Sequence, residues 1–128
     1  MVEAKIKLTK TMLNKSIIDA NKSVREFLNH DFGMSYDDKF FTEEWWDVES
    51  QRTERAHFIV VGEYADGTEA DVKFYRSVKR GDKRISIQKL KQYAEAGDEV
   101  ILTSDAESLH DGYRIHINIV RQEADAAG

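Results

Sequence analysis

The chain has 128 residues, 41% of them hydrophobic and 34% charged, with a formal net charge of −5 and no cysteine. That size and apolar share suffice for one packed core and argue against disorder, while the missing thiols exclude disulfides, a thiolate nucleophile and any cysteine-ligated zinc. The opening Met1-Val2-Glu3-Ala4-Lys5-Ile6-Lys7-Leu8 alternates charged and apolar residues where a signal peptide needs an apolar run, and no later stretch reaches membrane-spanning length, so a cytoplasmic protein without membrane contact is expected.

Residues 3–8 predict a short strand, with Ala4, Ile6 and Leu8 on one face. Leu13, Ile17, Ala20, Val24 and Phe27 recur at spacings of four and three, which predicts one long amphipathic helix over residues 11–30, capped by Thr9 or Thr11 and stopped by Gly33. No period dominates residues 31–55, where Phe32, Tyr36, Phe40, Phe41, Trp45 and Trp46 are mixed with acids. A short helix opening at Thr42 and a self-packed loop fit equally well.

From residue 56 onward the pattern turns to strands. Phe58 to Tyr64 and Thr68 to Arg76 flank Asp66-Gly67, a strong hairpin signal, with Ala70, Val72 and Phe74 on one face. A short strand around Ile85 and Ile87, a short helix from Gln88 to Ala96 stopped by Gly97, and strands at 99–103 and 113–120 follow, with Asp111-Gly112 as the last turn. The expected fold class is therefore α+β: a small antiparallel, barrel-like sheet with one long N-terminal helix and one short helix before the last two strands. Residues 1–121 form one domain in this account, and 122–128 a tail with little to pack.

Catalytic motifs are missing. There is no G-x-S-x-G elbow, phosphate-binding glycine loop, dinucleotide fingerprint or His-Glu-x-x-His helix. His30, His57, His110 and His116 have no metal-ligand spacing, so neither metal nor cofactor is expected. Asp71-Val72-Lys73 places an acid and a lysine on one side of a strand, as metal-dependent nucleases do, but needs Glu54, Glu63 or Asp66 to complete a magnesium site. The same residues are also the polar face of an ordinary amphipathic strand. A non-enzymatic protein is expected.

Charge is unevenly distributed. Val72 to Lys91 holds eight basic residues against Asp82 alone, a local balance of +7 that leaves the rest of the chain at −12. Lys73, Tyr75 and Arg76 on a strand, with Lys79, Arg80, Lys83 and Arg84 around the following turn, are candidates for a nucleic-acid-binding surface, because such cations neutralise phosphate and release counterions.

The run from Glu69 to Arg76, then Arg84-Ile85-Ser86-Ile87, Lys89-Leu90-Lys91-Gln92-Tyr93 and Ala96-Gly97-Asp98-Glu99-Val100-Ile101-Leu102, resembles one half of a DNA-binding pseudobarrel, the superfamily of plant transcription-factor domains and restriction-endonuclease effector domains. The resemblance covers residues 69–102 and implies nucleic acid as the partner, DNA in preference to RNA. The helix expected at 11–30 and the aromatic cluster from Phe40 to Trp46 have no counterpart in it.

A rival reading uses the acidic regions. Asp37, Asp38, Glu43, Glu44, Trp45 and Trp46 would dock on a basic protein partner, as in an interaction module or an inhibitor carried by a mobile element, with acids steering and aromatics anchoring. The alternative is a solvated acidic loop whose tryptophans close the core. The number of copies in the assembly is left open.

Overall fold

A computed structural model describes residues 2–104 and 114–122. Strand β1, Ala4–Lys7, buries Ala4 and Ile6 and turns Lys5 and Lys7 outward, as its alternation requires. Helix α1, Lys10–Lys15, starts at Thr9, whose hydroxyl accepts from the Met12 amide at 3.2 Å. It stops at Ser16, which takes the left-handed conformation at φ 54°. Strand β2, Ile18–Asp19, pairs with Ile85 and Arg84, and helix α2, Lys22–Phe32, begins only at Asn21.

The long helix expected over 11–30 is thus two helices separated by a two-residue strand. The apolar spacing is satisfied differently: Val24, Phe27 and Leu28 form the buried stripe of α2, Ile18 is buried through β2, and Ile17 is 37% exposed. The break has a local cause in Asn21, whose side-chain oxygen accepts from the Val24 amide at 3.0 Å and whose amide donates to the Lys5 carbonyl at 2.8 Å. One residue therefore caps a helix and ties it to β1. Ser23 adds to this, accepting from the Lys5 amide at 2.9 Å. Gly33 ends α2 in the left-handed conformation, as the sequence indicates.

Helix α3, Lys39–Thr42, leads into a separate two-stranded hairpin of β3, Glu44–Asp47, and β4, Arg52–Arg55. Then come β5, His57–Tyr64; β6, Glu69–Arg76; β7, Lys83–Ile87; α4, Leu90–Tyr93; β8, Glu99–Ser104; and β9, Arg114–Val120. The hairpin at Asp66-Gly67 forms as expected, with Gly67 at φ 90° and the Asp66 carboxylate accepting from the Thr68 amide. The short helix before the last two strands is present but spans four residues. The Asp111-Gly112 turn, Tyr113, His110 and the tail from residue 123 lie outside the described residues.

Among the described residues the main sheet is a curled, mixed half-barrel of seven strands in the order β1-β8-β9-β5-β6-β7-β2. The expected antiparallel sheet is corrected at one seam: β5 and β9 run parallel, with Gly62 opposite Ile115. Strands so far apart in sequence carry no local sign of their relative direction, so alternation could not reveal this pairing. The core lies on the concave side, where α2 packs and where Phe32 meets Phe27 and Phe58 edge-on at centroid distances of 5.7 and 5.6 Å. Burying such a side chain contributes about 1.5–3 kcal/mol.

Gly62 explains how β5 is held from both sides. A Cβ there would stand 2.8 Å from the Ala70 carbonyl oxygen, 2.8 Å from Ile117 Cδ1 and 2.9 Å from Val72 Cγ2. One of these is backbone, so the strain cannot be relieved by a rotamer change. Gly62→Ala is expected to destabilise the protein by about 1–3 kcal/mol, read as a lower urea midpoint.

Burial raises the hydroxyl pKa of Tyr36 and of Tyr64 above the ordinary value of 10.0. The two hydroxyls donate to the carbonyls of Arg84 at 2.9 Å and Gln88 at 2.6 Å, bonds that a phenolate cannot make. Because the folded protein holds these protons more tightly than the unfolded chain, their stabilisation is full below pH 10 and is lost as pH rises above it. Urea denaturation from pH 8 to 11 should show stability falling above pH 10, and Tyr36→Phe should flatten the fall.

Candidate nucleic-acid interface

The outward face of β6 and β7 carries the residues that alternation removes from the core. Tyr75 lies opposite Arg84 and Lys73 opposite Ser86, while on the other side His57 and Ile59 of β5 face Tyr75 and Lys73. The β3–β4 hairpin stands beside this face, and the space between them is a groove of about 270 Å³. Its cations are Arg52, Arg55, Lys73, Arg76 and Arg84; its carboxylate is Glu54; Tyr75 and His57 supply rings.

Each of these side chains is held by its strand neighbours. Arg55 donates to the Thr42 carbonyl and pairs with Glu44, both at 2.9 Å, which fastens β4 to the end of α3. The Ala56 amide bonding to the Glu43 carbonyl fixes the same junction. Arg84 is anchored by its own backbone, since its carbonyl accepts the Tyr36 hydroxyl, and its guanidinium lies 3.3 Å from Asp82. Arg76 donates to the Gly81 carbonyl at 2.8 Å and so braces the turn between β6 and β7. Gly81 sits at φ 70°, and a Cβ there would meet the Arg76 guanidinium at 3.0 Å.

Three of the five groove cations are paired with carboxylates: Arg52 with Glu54, Arg55 with Glu44, and Arg84 with Asp19 and Asp82. Among the described residues Lys73 and Arg76 have no carboxylate partner; the Lys73 ammonium rests 4.9 Å from the centre of the Tyr75 ring. Arg52 pairs with Glu54 at 3.1 Å, an exposed pair that yields readily to a stronger acceptor. The Nε atoms of Arg55 and Arg84 are buried and make no hydrogen bond within the protein, and that of Arg84 faces the Asp19 carboxylate at 3.9 Å. Burial raises the Tyr75 hydroxyl pKa, with Arg84 opposing, and the ring stays an uncharged phenol at neutral pH.

Of the seven residues singled out from the basic stretch, Lys73, Tyr75, Arg76 and Arg84 share this groove. Lys79 and Arg80 are exposed in the adjoining turn, whose first residues Ser77 and Val78 line the groove. Lys83 is turned away: it pairs with Asp37 at 3.7 Å and borders a different cavity with Lys22, Arg25 and Tyr36. Sequence reasoning missed Arg52, Arg55 and His57. The signal available was the basic pair in Arg52-Thr53-Glu54-Arg55, hidden by the acids around it.

The acidic and aromatic candidates take varied places. Asp38 accepts from the Ser35 amide at the start of α3, Glu43 pairs with Lys39, and Glu44 with Arg55. Trp45 packs against His57 at 5.4 Å and is 40% exposed, while Trp46 is 58% exposed, so the tryptophans do not close the core. The acids proposed to join Asp71 and Lys73 are engaged elsewhere: Glu54 with Arg52, Glu63 with Arg114, and Asp66 with Thr68 and Tyr93. His30 bonds Asp31, and among the described residues no group of three ligating side chains is arranged for a metal.

Arg55→Ala should cost about 1–3 kcal/mol and loosen the hairpin, seen as increased acrylamide quenching of tryptophan fluorescence. Arg55→Lys should not restore the wild-type value, because an ammonium cannot reach both partners with a fixed fork. Comparison with protein-family models, curated proteins and solved structures finds no match for this chain.

Proposed function

We propose that the chain is a non-enzymatic nucleic-acid-binding module whose contact surface is the groove between the β3–β4 hairpin and the outer face of β6 and β7. The observation that carries this is the convergence of five cations from separate segments on one concave site, of which Lys73 and Arg76 have no carboxylate partner among the described residues. The overall charge of −5 does not oppose it, since charges further than about 8 Å away are largely screened at physiological salt. The segment with the pseudobarrel likeness supplies four of the groove residues, Lys73, Tyr75, Arg76 and Arg84, and this supports DNA over RNA as the partner. The lack of cysteine fits a reducing compartment, and the cytoplasm is the location we propose; no helix is long and apolar enough to cross a membrane.

A second reading has its own observation. Phe40, Trp46 and Val48 are 46%, 58% and 77% exposed around α3 and the hairpin, a set of apolar anchors among acids that would suit a basic protein partner. Recovery of a stoichiometric protein partner that survives nuclease treatment would favour it.

The nucleic-acid reading is tested by titration at several salt concentrations. Lys73→Gln combined with Arg52→Gln should leave the thermal midpoint nearly unchanged, weaken binding, and make the salt dependence shallower by about 0.7 to 0.9 for each phosphate that is no longer neutralised. Wild-type affinity and slope in that variant would remove the groove as the contact surface.

A further inference from the structure

The groove and the hairpin that walls it carry opposite charge. A two-stranded ribbon is one of the elements that can enter the major groove of duplex DNA, and β3–β4 is such a ribbon. Its strand acids Glu44 and Glu54 are paired with Arg55 and Arg52, but its tip carries Asp47 and Glu49, and hydrogen bonds from the hydroxyl and amide of Ser50 and the amide of Glu49 hold the Asp47 carboxyl below the usual range. A duplex approaching the tip of the ribbon meets Asp47 and Glu49. The cations lie beneath, between hairpin and sheet, in a space of about 270 Å³, just under the range of drug-sized pockets, about 300–1,000 Å³.

The sheet face limits the footprint further. Along β5 and β6 the cross-strand rows run from His57 and Tyr75, through Ile59 and Lys73, to Val61 and Asp71 and then Glu63 and Glu69. Cation and ring stand at one end, exposed Ile59 and Val61 in the middle, and carboxylates at the other end. Such a gradient suits a phosphate at the Arg84 end with a base laid on ring and apolar side chains, while Glu63 and Glu69 at the far end are both paired with Arg114.

From this we infer that the groove takes a single strand in preference to a duplex, with one base seated against the Tyr75 ring under the hairpin. The inference rests on the nucleic-acid reading above. Lys73, beside the same ring, is placed to meet the phosphate of the stacked nucleotide.

The experiment is fluorescence anisotropy of the full chain with a labelled oligothymidylate of roughly 12 nucleotides and with a labelled duplex of equal length, at low salt. The strand should bind at least about 10-fold more tightly. Tyr75→Leu should lower strand affinity by roughly 5- to 150-fold, the worth of one base-aromatic stack, with an unchanged salt slope, and Tyr75→Phe should bind like wild type. Because Tyr75 is half-buried, a second variant, Glu49→Gln, acts on an exposed residue at the ribbon tip; it should raise duplex affinity and leave strand affinity unchanged. Duplex binding as tight as strand binding, or wild-type affinity in Tyr75→Leu, overturns the single-strand inference and leaves the nucleic-acid reading standing. No binding of either form overturns both.

Discussion

The parallel pairing of β5 with β9 is the constraint on which the rest of the molecule depends. It joins the β5-β6-β7 meander to the pair formed by β1 and β8, so the sheet becomes one curled surface with a continuous concave core. The pairing needs strand β5 to accept close neighbours on both edges, which Gly62 permits by having no Cβ. The rows of side chains that make the groove take their register from the antiparallel pairings of β5 with β6 and β6 with β7.

Polar side chains finish what the strands leave open. The edge of β1 would present an unpaired backbone at Lys5, and the first turn of α2 covers it with Asn21 and Ser23. At the other end of the sheet β2 covers β7 only at Ile85 and Arg84, and the Tyr36 hydroxyl braces the Arg84 carbonyl. Tyr64, stacked on Tyr93 at 3.8 Å, does the same for Gln88, and Tyr93 reaches Asp66 in the β5–β6 turn. These bonds link helix ends and turns to the sheet.

Charge is segregated at short range, which a net charge conceals. The basic groove is made when β4, from an acid-rich segment, is set against β6 and β7, from the basic one. Arg55 has two tasks in this arrangement: it anchors the hairpin through Thr42 and Glu44 and it also adds its charge to the groove. Of the acids on the hairpin, Glu54 lines the groove against Arg52 and Glu44 pairs with Arg55, while Asp47 and Glu49 stand at the tip.

Much of the strand structure was legible in the sequence. Alternation marked Ile6, Val72, Phe74, Ile115 and Ile117 as inward, and all are buried; Asp66-Gly67 marked a hairpin because few residue pairs so readily adopt the required turn. The density of cations between residues 72 and 91 was also plain. The split of the expected helix at Ser16 to Asn21, the parallel seam and the departure of Lys83 from its basic neighbours were not. A period of 3.6 residues reports only that apolar groups could share a face. Ile17 and Ile18 are adjacent, so whichever one joins the core is settled by β7, far along the chain. Likewise Arg52 and Arg55 carry no sign of a common site with Lys73 and Arg84. Local composition sets which residues shun water and which carry charge, but the direction in which each charge finally points depends on strand pairings whose energy comes from residues distant in sequence.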